Sequence, residues 1–167
     1  MSFRKGVTHK EDKVWRNNNN KDLYTRWNRN KFDSERVDTQ VDHIVECQLG
    51  EYMWENAFDG RRTTRGRLAP VVQLWNDVDN LNNTSTGLNQ RKGDAFEMWK
   101  DGREPSLWSA LVRYNVPANH RANICVAFED TADWLAGELD DMADEMECDL
   151  YGNMASELDN WREKTGN

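Results

Sequence analysis

Apolar and polar positions divide the chain into one short alternating stretch set among segments of helical spacing. Arg36-Val37-Asp38-Thr39-Gln40-Val41-Asp42-His43 alternates, which predicts a strand ending at the histidine. Leu49, Met53, Trp54 and Phe58 recur at helical spacing and predict a helix over 47–58. A short helix is predicted to open at Pro70, whose fixed φ suits a first helical position, and to run through Val71, Val72, Leu74 and Trp75. Asn80-Leu81-Asn82-Asn83 returns as a short strand. Thr84-Ser85-Thr86 then supplies N-cap candidates for a helix through Leu88, Asn89, Ala95, Phe96 and Trp99. Beyond it the pattern predicts helices over 105–114, 119–147 and 153–163, the last with Met154, Leu158 and Trp161 on one face. The expected fold class is α+β and mostly helical, a small strand–strand–helix core embedded in helices.

Three regions follow from this pattern. Residues 1–36 are rich in Asn, Lys and Arg, with Asn17–Asn20 consecutive, and Trp15, Tyr24, Trp27 and Phe32 would fasten this arm to the core. Residues 37–104 hold both strands, an inserted helix and a basic loop, Gly60-Arg61-Arg62-Thr63-Thr64-Arg65-Gly66-Arg67. Residues 105–167 form an acidic helical extension of the same globular unit. A chain of 167 residues with 37% hydrophobic residues can bury a core of this size.

Charge sharpens the division. The net charge of −8 argues against a nucleic-acid partner when taken globally, but residues 1–70 carry 14 Lys/Arg against 11 Asp/Glu. The remainder carries 8 against 19, most of the acid lying between Glu129 and Glu163. The first half can therefore still offer positive charge to phosphates. The acidic helices either serve solubility or meet a basic partner such as an inhibitor protein. Their stripe of Trp134, Leu135, Leu139, Met142 and Met146 is expected in the core. No apolar run approaches the roughly 20 residues of a membrane span, and the opening Met-Ser-Phe-Arg-Lys-Gly has no signal-peptide pattern. The expectation is a cytosolic protein, although a delivered toxin or effector lacking its leader here would read the same way. Cys47, Cys125 and Cys148 contain no C-x-x-C pair and are expected as free thiols.

The chemistry lies in two stretches, Val41-Asp42-His43-Ile44-Val45-Glu46 and Asp79-Asn80-Leu81 through Asn89-Gln90-Arg91-Lys92-Gly93. Asp-His-Ile, a later Asn-Leu, and an Asn nine residues after that Asn inside an Asn-x-Arg-Lys-Gly ending are present in order. Over Val41 to Gly93 the chain resembles the HNH (His-Me finger, ββα-metal) endonucleases. The resemblance implies that His43 is a general base taking a proton from water, a role suited to an imidazole at neutral pH. It implies that Asn80 orients the imidazole and that Asp42 and Asn89 give oxygens to one divalent cation. A hard ion, Mg²⁺ first and Mn²⁺ second, suits such ligands. Asn89 stands where many members have His, and the gap from His43 to Asn80 is longer than in compact members. Arg91 and Lys92 are the expected phosphate contacts, with Arg61, Arg62, Arg65 and Arg67 either joining them or forming a solvated loop. Glu46 is either a water-mediated ligand or, preferred here, a structural carboxylate.

The implied activity is metal-dependent phosphodiester hydrolysis, on DNA rather than RNA and with low sequence specificity. Two other readings stand beside it. In one, the chain is a non-catalytic helical interaction module whose Asp, His and Asn residues only cap and turn. In the other, a nuclease-like fold binds nucleic acid or a protein without cutting. His9 and His120 have no neighbourhood that assigns them a role, and the Trp residues are too dispersed for a base-stacking platform.

Overall fold

A computed structural model of the chain describes residues 3, 6–57 and 65–166, the side chains of 65–67 excepted. Its helices are α1 (Glu11–Asn17), α2 (Arg29–Glu35), α3 (Cys47–Asn56), α4 (Arg65–Trp75), α5 (Thr86–Lys100), α6 (Leu107–Arg113), α7 (Ala118–Glu145) and α8 (Asp149–Arg162). Its strands are β1 (Thr39–His43) and β2 (Leu81–Ser85), paired antiparallel with Thr39 opposite Ser85 and His43 opposite Leu81. Among the described residues the fold is mostly helical with this one small sheet, as the pattern predicts. No helix among them is long and apolar enough to cross a membrane.

Local chemistry fixes the boundaries that matter for the site. Ser85 ends β2 and caps α5, its hydroxyl accepting from the Leu88 amide at 3.3 Å. The strand therefore passes into the helix without a loop. Asn19 and Asn20 adopt left-handed backbone (φ 54° and 57°), which Asn tolerates better than most residues. They turn the arm back toward the sheet after α1.

Several predicted boundaries move by a few residues, and the starts of two helices move furthest. α4 begins at Arg65, so Pro70 lies inside the helix instead of opening it; the cost is the one backbone hydrogen bond that proline cannot donate. α8 begins at Asp149, ahead of the predicted 153, because Leu150 and Tyr151 already face the core. The end of the predicted helix at Phe58 lies outside the described residues.

The main core lies between α3, α4, α5, α6, α7 and α8, with Trp75, Phe96, Trp99, Phe128, Leu139 and Tyr151 among its buried residues. Trp99 stands edge-on to Trp161 at 4.7 Å and to Phe128 at 5.5 Å. A smaller cluster, Val7, Val14, Val78 and Leu81, closes one face of the sheet under the N-terminal arm. The arm's Trp15, Tyr24 and Phe32 are buried, and Trp27 is half-exposed. Leu135 and Leu139 of the acidic stripe are core as expected, whereas Met146 is exposed.

Candidate active site

Side chains alternate between the two faces of a strand, so adjacent residues point apart. Gln40 and Asp42 share the face of β1 that meets α5, where Gln40 accepts from the Asn89 amide at 3.0 Å and Asp42 pairs with Lys92 at 3.0 Å. His43 points to the other face, toward the end of α4, where its Nε2 lies 3.1 Å from Asn76 Oδ1. The sheet thus separates the two residues that the motif sets side by side. Both are buried, each 2% exposed.

On the α5 face the centre is a lysine. Lys92 is fully buried, and its ammonium donates to the His43 carbonyl at 2.7 Å and to Glu46 Oε1 at 2.6 Å, besides its pairing with Asp42. Asp42 Oδ2 also accepts from the Tyr24 hydroxyl at 2.9 Å. The rings of Phe96 and Tyr24 lie 4.8 and 5.8 Å from the ammonium.

The Asp42 carboxyl is raised to about 7, by burial first and by the Glu46 carboxylate, against the downward pull of Lys92. Lys92 is held above the ordinary lysine range, because the carboxylates of Asp42 and Glu46 outweigh its burial. It is therefore a cation throughout the physiological range. Burial, with help from the Asp42 carboxylate, likewise raises the Tyr24 phenol well above its usual value, so it donates as a neutral hydroxyl.

On the other face the hydrogen-bond network fixes the imidazole tautomer. The Asn76 amide nitrogen donates to the carbonyls of Phe3 at 2.8 Å and Val72 at 2.7 Å, so its oxygen must be the atom facing His43. That oxygen can only accept. His43 Nε2 therefore carries the hydrogen, and in the neutral ring Nδ1 holds the lone pair. Asn76 is in turn braced by the N-terminal segment, since Lys10 donates to its carbonyl. Phe3 is fully buried, edge-on to Trp75 at 5.7 Å.

Several expectations about single residues are corrected by these contacts. The imidazole meets the amide of Asn76. Asn80 is instead spent on backbone, accepting from the Val45 amide at 2.7 Å and donating to the carbonyls of Val45 at 3.2 Å and Trp75 at 2.9 Å. It latches the start of β2 to the turn after β1, because both segments bring otherwise buried peptide groups to the same point. Lys92 cannot touch a substrate phosphate from a fully buried position inside an ion-pair cluster. Glu46 holds this lysine and sits in that cluster as a structural carboxylate.

Arg91 is exposed, and it lines a cavity of about 270 Å³ with Trp27, Phe32, Leu88 and His120. Arg61 and Arg62 lie outside the described residues, as do the side chains of Arg65 and Arg67. Cys47, Cys125 and Cys148 are buried and none is in a disulfide.

The arrangement does not fit the expected divalent ion. Asp42 and Glu46 offer the right hard oxygens, but an ammonium already stands between them. Asn89, the other expected ligand, turns its amide nitrogen to Gln40. Among the described residues no group of three His, Cys, Asp or Glu side chains is placed to hold a metal.

Two features of this region went unread in the sequence. One is Asp22, a fully buried carboxylate that accepts from the backbone amide of Tyr24, the amide group of Asn82 and the hydroxyls of Thr25 and Thr84. It ties the arm to β2. The other is the burial of Lys92, which had a signal: it stands on the same stripe of α5 as Leu88, Ala95, Phe96 and Trp99, and a lysine there requires a buried acid. Asn76, one residue past α4, had none. No protein-family model matches the chain, nor does any curated protein or solved structure.

Proposed function

We propose that the chain is a phosphodiester hydrolase of the HNH type, with His43 Nδ1 as the general base and a polynucleotide, DNA first, as the substrate. One observation carries the reading: the Asn76 amide fixes the hydrogen on Nε2, so that Nδ1 is the lone-pair nitrogen of the neutral ring. The succession β1–β2–α5, with His43 closing the first strand and Asn89 on the helix, supports it as a ββα core.

In the proposed step Nδ1 takes a proton from water while the water oxygen bonds to phosphorus. The P–O3′ bond breaks, and the leaving oxygen gains a proton from solvent. A positioned base of this kind contributes about 10²–10⁴ in rate. Arg91 and the 61–67 arginines are assigned to flanking phosphates. No step runs through a divalent ion, because Lys92 holds the place between the carboxylates. His43 is 2% exposed, so substrate can reach it only after a change in the structure around it.

The same burial, with Asp42 paired to Lys92, favours one rival, a nuclease-like fold that binds without cutting. The deciding assay incubates the protein with supercoiled plasmid, single-stranded DNA and RNA, in Mg²⁺, Mn²⁺ or EDTA, beside His43→Ala and Asn76→Ala. The expected result is cleavage that falls by about 10² or more in His43→Ala and falls in Asn76→Ala with the fold intact by circular dichroism. Absence of cleavage, or cleavage that survives His43→Ala, would overturn the proposal and leave the binding reading.

A further inference from the structure

We infer that Lys92 is a built-in replacement for a divalent cation, so that the Asp42–Glu46 cluster is a cation site already filled from within the chain. Describing its position as that of a metal rests on the ββα reading above; the occupancy itself rests on distances alone.

The ammonium has three hydrogens and meets three oxygens: the His43 carbonyl at 2.7 Å, Glu46 Oε1 at 2.6 Å and Asp42 Oδ2 at 3.0 Å. Its donor capacity is used in full. These lengths suit N–H···O contacts, whereas Mg²⁺ demands oxygens at about 2.0–2.1 Å.

The rest of the environment argues the same way. Mg²⁺ wants about six oxygens in an octahedron and keeps several as water. Here the surroundings include the faces of Phe96 at 4.8 Å and Tyr24 at 5.8 Å, and Lys92 is wholly excluded from solvent. An aromatic face attracts an ammonium but supplies no ligand oxygen to a hard cation. Asp42 Oδ2 is also engaged by the Tyr24 hydroxyl. A divalent ion entering the cluster would have to expel a lysine that is covalently tied there, and the expelled cation would remain within a few ångströms. The position is built for an ammonium.

The device also explains what Lys92 does for the motif. By holding the His43 carbonyl, Asp42 and Glu46 together, it pins the end of β1 to α5, the task a bound metal would perform from outside the chain. Its permanence removes any dependence of that geometry on ion concentration.

The test reads metal directly and does not depend on cleavage, so failure of the hydrolase proposal and failure of this one are distinguishable. Wild-type protein is titrated with Mg²⁺ while the ¹⁵N resonance of the Lys92 ammonium is followed, and then with paramagnetic Mn²⁺ while the methyl signals of Ile44 and Val45 are followed. Through millimolar concentrations the ammonium signal is expected to stay unshifted and the two residues' methyls unbroadened. Mn²⁺ held by the acidic surface of α7 would broaden Val126 instead and leave that result intact. Saturable displacement of the Lys92 signal, or broadening of Ile44 and Val45 that disappears in Asp42→Asn, would overturn the inference.

Discussion

Two carboxylates and one ammonium, all buried, leave the Lys92 cluster with one negative charge too many at neutral pH. Burial first, and the Glu46 carboxylate second, hold the Asp42 proton up to about 7 against the pull of Lys92. In the unfolded chain the same group titrates near 3.9. A carboxyl raised in the folded state binds protons more tightly there, so its contribution is fully present below the unfolded value and fades as pH rises through the folded one. The expected outcome is a melting temperature that declines between about pH 4 and 7 for this reason, with the decline flattened in Asp42→Asn. Melting curves of both proteins across that window check it, and an unchanged slope in the variant would refute it. The sequence made the residues of this cluster conspicuous but not their arrangement. Asp42 and His43 are neighbours in the motif, yet the period-two alternation of β1 sends them to opposite faces, and Asn76, which meets the imidazole, sits 33 positions away.

Helix α3 is held close to two rings. A Cβ added at Gly50 would stand 2.6 Å from the Trp75 ring and 2.9 Å from that of Phe3, and both rings are fully buried. Replacing a helical Gly by Ala ordinarily gains about 0.5–1 kcal/mol of backbone entropy. Forcing extra volume against a packed core costs about 1–3 kcal/mol. The second effect prevails here because neither ring is free to swing into solvent. Gly50→Ala is expected to destabilise the protein by about 1–2 kcal/mol in denaturant unfolding; a variant as stable as wild type would show that the rings can yield.

At this scale much of the fold was legible. Alternation located β1, and the Thr84-Ser85-Thr86 cap located the start of α5. The start of α4 was hidden because proline is as easily read as an opening residue as one carried inside a helix. The early start of α8 was hidden because the helix packs along α7 and buries Leu150 and Tyr151, a tertiary contact no local pattern reveals.

The reading of residues 105–167 as an extension of the same globular unit has a physical test in the packing. Tyr52 of α3 and Trp99 of α5 both stand edge-on to Trp161 of α8, and Phe96 of α5 packs on Phe128 of α7. The chain after α8 returns to α6, where the carbonyls of Lys164 and Thr165 accept from the amides of Leu107 and Trp108. Removing residues 105–167 would bare Phe96 and Trp99 and strip α3 of its partner. Each large apolar side chain returned to water costs about 1.5–3 kcal/mol. A domain's whole stability is about 5–15 kcal/mol, so a few such exposures exhaust it. The fragment ending at residue 104 is therefore expected to show no cooperative thermal transition and no near-UV dichroism, although it contains His43, Asn76 and the entire Lys92 cluster. A fragment that melts cooperatively with native-like aromatic signals would mean that the strand–strand–helix unit stands alone. The expected failure would mean that the acidic helices are part of what holds His43 and the buried lysine in place.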